Sequence, residues 1–171
     1  MRNRHTTRAA IIIAGLALSG MALSGCSVIQ DLLGEETVAR DADSQEVVGA
    51  GSADVFNLHV GDCFNDETSD GGVTDVPAVP CAEPHDNEIY FIYDLPDGEF
   101  PGDAAVETAA NEGCAAEFEA FVGIAYEASV LDHWAIYPSE DTWTQIGDRE
   151  VVCSVWEPGV KVSGSLAGAA R

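Results

Sequence analysis

The sequence predicts an α+β fold, in which one main helix packs on a small antiparallel sheet and two disulfides cross-link the domain. Three observations lead to this fold class. Several short segments alternate apolar and polar residues, as half-buried strands do. One segment alone repeats apolar residues at helical spacing. Four cysteines follow residue 60 in a chain that opens with an export-type signal, and exported cysteines usually pair.

The N-terminal region has the layout of a lipoprotein signal. Arginines within the first eight residues precede an apolar run over 9–22, shorter than the about 20 residues of a bilayer span. The run leads to Leu23-Ser24-Gly25-Cys26, where small residues precede a cysteine. We therefore expect residues 1–25 to be removed and a lipid on Cys26 to hold the protein at the outer, extracytoplasmic face of the cell membrane. The alternative is an ordinary secretory signal that happens to contain a cysteine.

The charge of the mature chain limits its partners. All 30 acidic residues but only four of the seven basic residues lie beyond residue 25, which gives a formal charge of −26. This acidity excludes nucleic acid, because binding it requires basic residues that displace counterions. It also disfavours direct docking on an anionic bilayer and predicts a solvated surface. Membrane attachment should therefore depend on Cys26.

Composition divides the mature chain into two parts. Residues 26–53 form the lipidated N-terminus and an acidic segment with little apolar patterning, which is typical of a flexible tether. Residues 54–168 form the predicted α+β domain. Its predicted strands cover 55–60, 88–95, 133–137, 142–146 and 149–156.

Periodicity assigns faces to these elements. The predicted helix covers 103–122, with Asp103 as N-cap and Gly123 as its stop. Its apolar stripe consists of Val106, Ala110, Cys114, Phe118 and Val122. The strand over 88–95 should place Ile89, Phe91, Tyr93 and Leu95 on one face. The last strand should place Val151, Cys153 and Val155 on one face.

These faces favour one of the three pairings that four cysteines allow. Cys114 lies in the helix stripe and Cys153 on the apolar face of the last strand, so a helix packed on the sheet brings the two sulfurs together. Cys63 and Cys81 then close the acidic loop 65–76. The alternative is that the cysteines bind zinc, but the sequence lacks a C-x-x-C pair. We therefore expect neither a metal nor a cofactor.

The loop 65–76 also begins like a calcium loop. Residues 66–71 match its opening, but Pro77 stands where a bidentate acid is needed, so a solvated loop is the better interpretation.

Four other residues are candidates for ligand binding: His85, Asp86, Trp143 and Arg149.

Two of these candidates have structural alternatives. His85 lies in a segment held by two prolines and a predicted disulfide, where its ring either binds a ligand or bonds to the backbone. Arg149 is one of two basic residues in the domain; we expect a bidentate carboxylate partner, with an anionic ligand as the alternative.

Hydrolase and phosphate-binding motifs are absent from the sequence. It contains no G-x-S-x-G, S-x-x-K or H-E-x-x-H motif and no glycine-rich phosphate loop. No catalytic residue is therefore predicted, and we do not expect an enzyme.

Several short segments together resemble the septum formation domain of actinobacterial envelope proteins. They are Val60-Gly61-Asp62-Cys63-Phe64, Val79-Pro80-Cys81, Pro84-His85-Asp86, Glu88, Cys114, Trp143, Gly147-Asp148-Arg149, Cys153 and Gly164-Ser165-Leu166. The resemblance covers residues 54–168. It implies an extracytoplasmic domain associated with septum formation, and it implies no catalytic residue, cofactor or substrate.

The sequence thus predicts a cell-surface lipoprotein that acts as an interaction module at the envelope or septum. Its partner would be an unknown envelope protein or cell-wall component. The alternative is a lipoprotein that binds a small ligand or metal through His85 and the acidic loop 65–76. A hydrolase of an unrecognised type is the third hypothesis.

Overall fold

The computed structural model describes residues 37–67 and 72–171, and its centre is a six-stranded antiparallel sheet. The strands are β1 (Ala39–Arg40), β2 (Val47–Gly49), β3 (Gly51–Asp54), β4 (Cys63–Phe64), β5 (Asp75–Val79), β6 (Asn87–Asp94), β7 (Asp132–Ile136) and β8 (Glu150–Trp156). The order across the sheet is β3-β5-β4-β6-β8-β7, and β1 pairs with β2 separately. The helices are α1 (Asp103–Val122) and α2 (Glu140–Gln145).

The predicted boundary at residue 54 is too late, because the described part of the 26–53 segment is folded. Three strands lie between Ala39 and Asp54, and β3 pairs along its whole length with β5. The signal peptide, Cys26 and the rest of the tether fall outside the described residues.

Two predicted strands are wrong. Residues 55–57 form a 3₁₀ turn, which begins where the side chain of Asp54 accepts a hydrogen bond of 2.8 Å from the amide of Phe56. Residues 140–145 form α2, whose N-cap Ser139 and Thr142 make a capping box. A side chain that satisfies the first free amide groups favours a helix over the predicted strand.

The predicted main helix is confirmed from Asp103 to Val122, although its N-cap is Gly102. The five residues of the predicted stripe are its buried residues. The helix approaches the sheet closely at Gly113, where a Cβ atom would lie 2.0 Å from the Tyr93 hydroxyl. Both predicted disulfides, Cys63–Cys81 and Cys114–Cys153, are present.

Apolar residues pack on both faces of the sheet. Val151, Cys153 and Val155 of β8 face α1, as predicted, whereas Val152 joins a second core on the opposite face. The predicted face of β6 is wrong at Ile89, which belongs to the second core. A register irregularity between Ile89 and Phe91 shifts the alternation there, as a bulge does.

At one end of the sheet lies β7, which pairs with β8 alone within the part of the chain that the structure describes. None of the helices in the described ranges combines the length and apolar character needed to cross a bilayer.

Candidate functional site

The four predicted ligand-binding residues do not form one site. His85 and Asp86 precede β6, whereas Arg149 lies beside its other end, where its carbonyl oxygen accepts a hydrogen bond from the amide of Leu95. A strand rises about 3.3 Å per residue, so the length of β6 separates the two places by roughly 20 Å. Trp143 lies with Arg149.

His85 is part of a buried structural junction. It is fully buried, its backbone exchanges two hydrogen bonds of 2.9 Å with Val162, and its Nδ1 lies 2.9 Å from the carbonyl oxygen of Glu83. Its Nε2 has no hydrogen-bond partner within the described residues. The backbone of His85 therefore joins the C-terminal segment to the approach of β6, and its ring is held by the preceding backbone.

A cluster of three metal-ligating residue types surrounds this junction. Donor atoms of Cys63, His85 and Glu88 lie within 4.8 Å of one another, and all three residues are buried. However, the Cys63 sulfur belongs to a disulfide, and the Glu88 carboxylate accepts hydrogen bonds from the Ser165 hydroxyl (2.6 Å) and the Leu166 amide (2.5 Å). A metal needs free thiolate and carboxylate donors, so these residues fit one poorly.

Asp86 takes part in an ion pair instead of facing a cavity. Its carboxylate lies 2.5 Å from Lys161 Nζ and accepts a hydrogen bond of 2.9 Å from the amide of Asp66. Burial disfavours the charge of Asp86, but the hydrogen bond and charge of Lys161 and the amide of Asp66 outweigh it and lower the pKa of this carboxyl.

Arg149 binds backbone carbonyls rather than the predicted bidentate carboxylate. Its guanidinium lies 3.7 Å from the centre of the Trp143 ring and donates to the carbonyl oxygens of Trp143, Asp148 and Gly98 at 3.2, 2.6 and 3.3 Å. The side chain of Asp97 approaches only to 3.8 Å and is fully exposed. Arg149 therefore ties α2, the start of β8 and the preceding loop together.

Of the other two mature histidines, one lies in a loop and the other on a strand. His59 is exposed in a loop. His133 does lie on β7, half-buried, with its ring 4.8 Å from that of Tyr126 and 6.1 Å from that of Phe118. Burial lowers its pKa despite the neighbouring Asp132.

The structure contains an apolar groove that the sequence did not reveal. We call it the β7 groove; it has a volume of about 510 Å³ and is bordered by Trp134, Ile136 and Val152, on the face of the sheet opposite α1, and by Asp103 at the start of α1. Its lining residues are Val55, Phe56, Gly72, Val73, Thr74, Asp103, Trp134, Ala135, Ile136, Tyr137, Pro138, Ser139, Thr142, Asp148, Glu150 and Val152.

Apolar side chains of the β7 groove remain open to solvent. Phe56 is 51% exposed, and Val73 and Tyr137 are each 38% exposed. Trp134 is held in place, because its indole N–H donates to the Asn87 side chain at 2.8 Å and its ring contacts Phe64 edge-on. Exposed apolar surface in a preformed concavity is typical of a binding site.

The rim of the β7 groove is acidic. Asp103, Asp148 and Glu150 line it, and the described lining includes no Lys, Arg or His. Burial raises the pKa of Glu150, and the negative charges of Asp94 and Asp148 raise it further. The groove therefore favours a ligand that combines apolar and positively charged groups.

A second cavity, of about 340 Å³, adjoins the β7 groove and shares Trp134 with it. Residues 65–67 and 72–77 line it, so the described parts of the predicted acidic loop face this cavity. The centre of the loop, residues 68–71, lies outside the described residues, and so does most of the calcium-like motif.

Sequence patterns missed the groove because it depends on strand order. The continuous apolar run over 134–137 indicates a strand buried on both faces, but only the sheet topology shows that β7 is an edge strand. The one sequence signal is the aromatic and aliphatic content of residues 134–137.

Comparison with known proteins gives one match. A family model described as septum formation matches residues 32–153, well over half of the chain. This match begins earlier than the resemblance over 54–168 and ends at Cys153, before Gly164-Ser165-Leu166. No curated protein and no solved structure matches the chain. The family is consistent with a cell-envelope location. The chain therefore belongs to the septum formation family.

Proposed function

We propose that this protein is a non-enzymatic binding module of the cell envelope, held at the outer face of the membrane by a lipid on Cys26, and that the β7 groove is its binding surface. The observation that carries the proposal is the open apolar groove itself. Most monomeric domains bury such side chains or scatter them singly, whereas here they line one concavity.

The distribution of polar groups supports binding rather than catalysis. In the described ranges, the only hydrogen bond of a histidine ring joins His85 to a backbone oxygen, so no histidine is oriented against a hydroxyl or thiol. Serine and cysteine nucleophiles are commonly activated by such a pair. The small-ligand alternative loses its dependence on His85, which is fully buried in a structural junction and lines neither the groove nor the cavity beside the acidic loop.

Site-specific photocrosslinking in the living cell tests the binding surface. A crosslinking amino acid at Tyr137, in the groove, should give discrete adducts with envelope proteins or cell-wall material. The control is the same amino acid at Val160, which is 47% exposed and outside the groove. Equal adducts at both positions, or none above background at Tyr137, would overturn the proposal.

Fractionation tests the anchor separately. Cys26→Ser should move the protein from the membrane fraction to the soluble or secreted fraction, because the acidic chain offers little attraction to anionic lipid. Ser27→Ala, next to the modified residue, is the matched control and should remain membrane-bound. Membrane retention of Cys26→Ser would show that the lipid is not the anchor.

A further inference from the structure

We propose that the β7 groove binds an extended segment of a partner protein that carries apolar side chains flanked by Lys or Arg, and that this segment adds to the sheet as a strand beside β7. The inference rests on the proposed function, because it names the partner of the same groove. Strand addition combines backbone hydrogen bonds along an edge with pockets for alternate side chains.

The backbone of β7 provides the edge. Among the described residues, β7 is the last strand of the sheet and pairs only with β8. The amide of His133 donates to the side chain of Asp132 at 2.8 Å, so it points away from β8. Because backbone groups alternate along an antiparallel strand, the N–H and C=O of Ala135 also point outward. The His133 amide is thus bonded to Asp132, and the edge offers the N–H of Ala135 and the outward C=O groups, which are a template for another strand.

The groove provides the pockets for side chains. Trp134 and Ile136 lie on the face of β7 that borders the groove, and Val152 of β8 continues this surface. A strand placed beside β7 would direct every second side chain to this face, so apolar residues at alternate positions fit it. Phe56 and Val73 form the opposite side of the groove.

Charge selects the rest of the segment. Asp103, Asp148 and Glu150 lie on the rim, and the described lining residues carry no positive charge. The attraction between a cation and the partly buried Glu150 is stronger than the attraction to a fully solvated carboxylate, because water screens the charges less there. Basic groups at the ends of the segment would therefore increase affinity and specificity.

The same charge argues against two other occupants. A second copy of the chain brings a mature formal charge of −26 to an already acidic surface. The segment 27–36 of this chain contains apolar residues, but its charged residues are all acidic: Asp31, Glu35 and Glu36. Both occupants would place like charges together, which disfavours binding.

Synthetic peptides test the proposal on the full mature chain with Cys26→Ser. The probe is the acetylated, amidated heptapeptide KVTVTVK, titrated by isothermal titration calorimetry at low salt, with EVTVTVE as its charge-reversed control. We expect the basic peptide to bind at least tenfold more tightly than the acidic one and to weaken as salt increases. Equal binding of both peptides would overturn the charge selection.

N-methylated peptides test strand addition without altering the protein. Methylation of the two threonines removes the two central amide donors of one edge, and methylation of the first two valines removes two of the three donors of the other edge. Only one edge can face β7, so one modification should weaken binding at least tenfold and the other should have little effect. Equal effects of the two would overturn the strand arrangement.

Protein variants test whether the peptide binds in the β7 groove, and they distinguish a failure of this inference from a failure of the proposed function. Glu150→Gln should weaken KVTVTVK about fivefold to tenfold, whereas Ile146→Ser, at an exposed position outside the groove, should not. Stronger binding after deletion of 27–36, or a dimer abolished by Tyr137→Ser, would overturn the proposed occupant. If no basic peptide binds while Tyr137 still crosslinks to an envelope partner, this inference fails and the proposed function stands.

Discussion

Arg40 and Asp62 form a bidentate ion pair that joins the N-terminal segment to the domain. Arg40 Nη1 and Nη2 lie 2.7 and 2.6 Å from the two carboxylate oxygens of Asp62, which is only 3% exposed. Arg40 also donates to the backbone oxygens of Gln45 and Asn57. The hydrogen bond and charge of Asp62 outweigh burial and raise the pKa of Arg40. A residue assigned to a flexible tether is thus fixed to the Gly-Asp-Cys segment.

Removal of this pair tests whether the N-terminal strands belong to the folded unit. Arg40→Met leaves a buried, unpaired carboxylate, so we expect the free energy of unfolding to fall by about 3 kcal/mol. The control is Arg171→Met, which breaks the more exposed pair with Glu157 and should cost less than about 1 kcal/mol. Urea denaturation measures both. Equal losses would show that the Arg40 pair contributes no more than a surface contact.

The two disulfides should contribute unequally to stability. Cys114 and Cys153 are 39 residues apart, and Cys63 and Cys81 are 18 apart. Loop-closure entropy then predicts losses of about 4 and about 3 kcal/mol when each pair is replaced by alanines. The first replacement also leaves space in the core between α1 and β8. Denaturant unfolding of the two double variants measures both losses in the free energy of unfolding. A greater loss for the Cys63–Cys81 pair would contradict the prediction.

His133 should make the domain less stable in mild acid. Burial lowers its pKa below the ordinary 6.5, so the unfolded chain binds the proton more readily than the folded one. Stability is therefore present above pH 6.5 and falls as the pH decreases through this range. His133→Phe should reduce the loss between pH 7.5 and 5.5 in thermal unfolding, with the exposed His59→Gln as control. An unchanged pH profile in His133→Phe would contradict the assignment.

Glu150 should reduce stability at neutral pH. Burial, with Asp94 and Asp148, raises its pKa above the ordinary 4.5, so the folded state binds the proton more readily. Its favourable contribution is present below pH 4.5 and is lost as the pH rises through the folded pKa. Glu150→Gln should therefore raise the free energy of unfolding at pH 7, and its advantage should shrink towards pH 4. The control is the exposed Glu99→Gln; an equal gain there would indicate a general effect of charge.

Some elements followed directly from local pattern. The sequence pattern that predicts α1 is strong because five apolar residues recur at every fourth position. Gly123 then ends the helix with a positive φ of 88°. The same faces led to the pairing of Cys114 with Cys153. The start of α2 also has a local sequence signal, because Ser139 followed by two acidic residues is typical of the first turn of a helix.

Other elements depend on contacts that are distant in sequence. β5 contains Pro77, which argues against a strand because proline has no amide hydrogen. Pro77 faces Ser52 of β3, and its carbonyl oxygen accepts a hydrogen bond of 3.0 Å from the amide of Asn65, just beyond β4. Because the N–H and C=O of a residue point to the same side in an antiparallel ladder, the missing N–H of Pro77 also faces the end of β4 and leaves the bonding to β3 intact.

The sequence by itself determined the acidic charge, the main helix, the strands β6, β7 and β8, and both disulfides. These features rest on local periodicity, which follows from the geometry of helix and strand. Only the tertiary structure decided the strand order, the separation of His85 from Arg149, and the β7 groove. These depend on which distant residues pack together, and the sheet order placed β7 at an edge whose apolar face is left open.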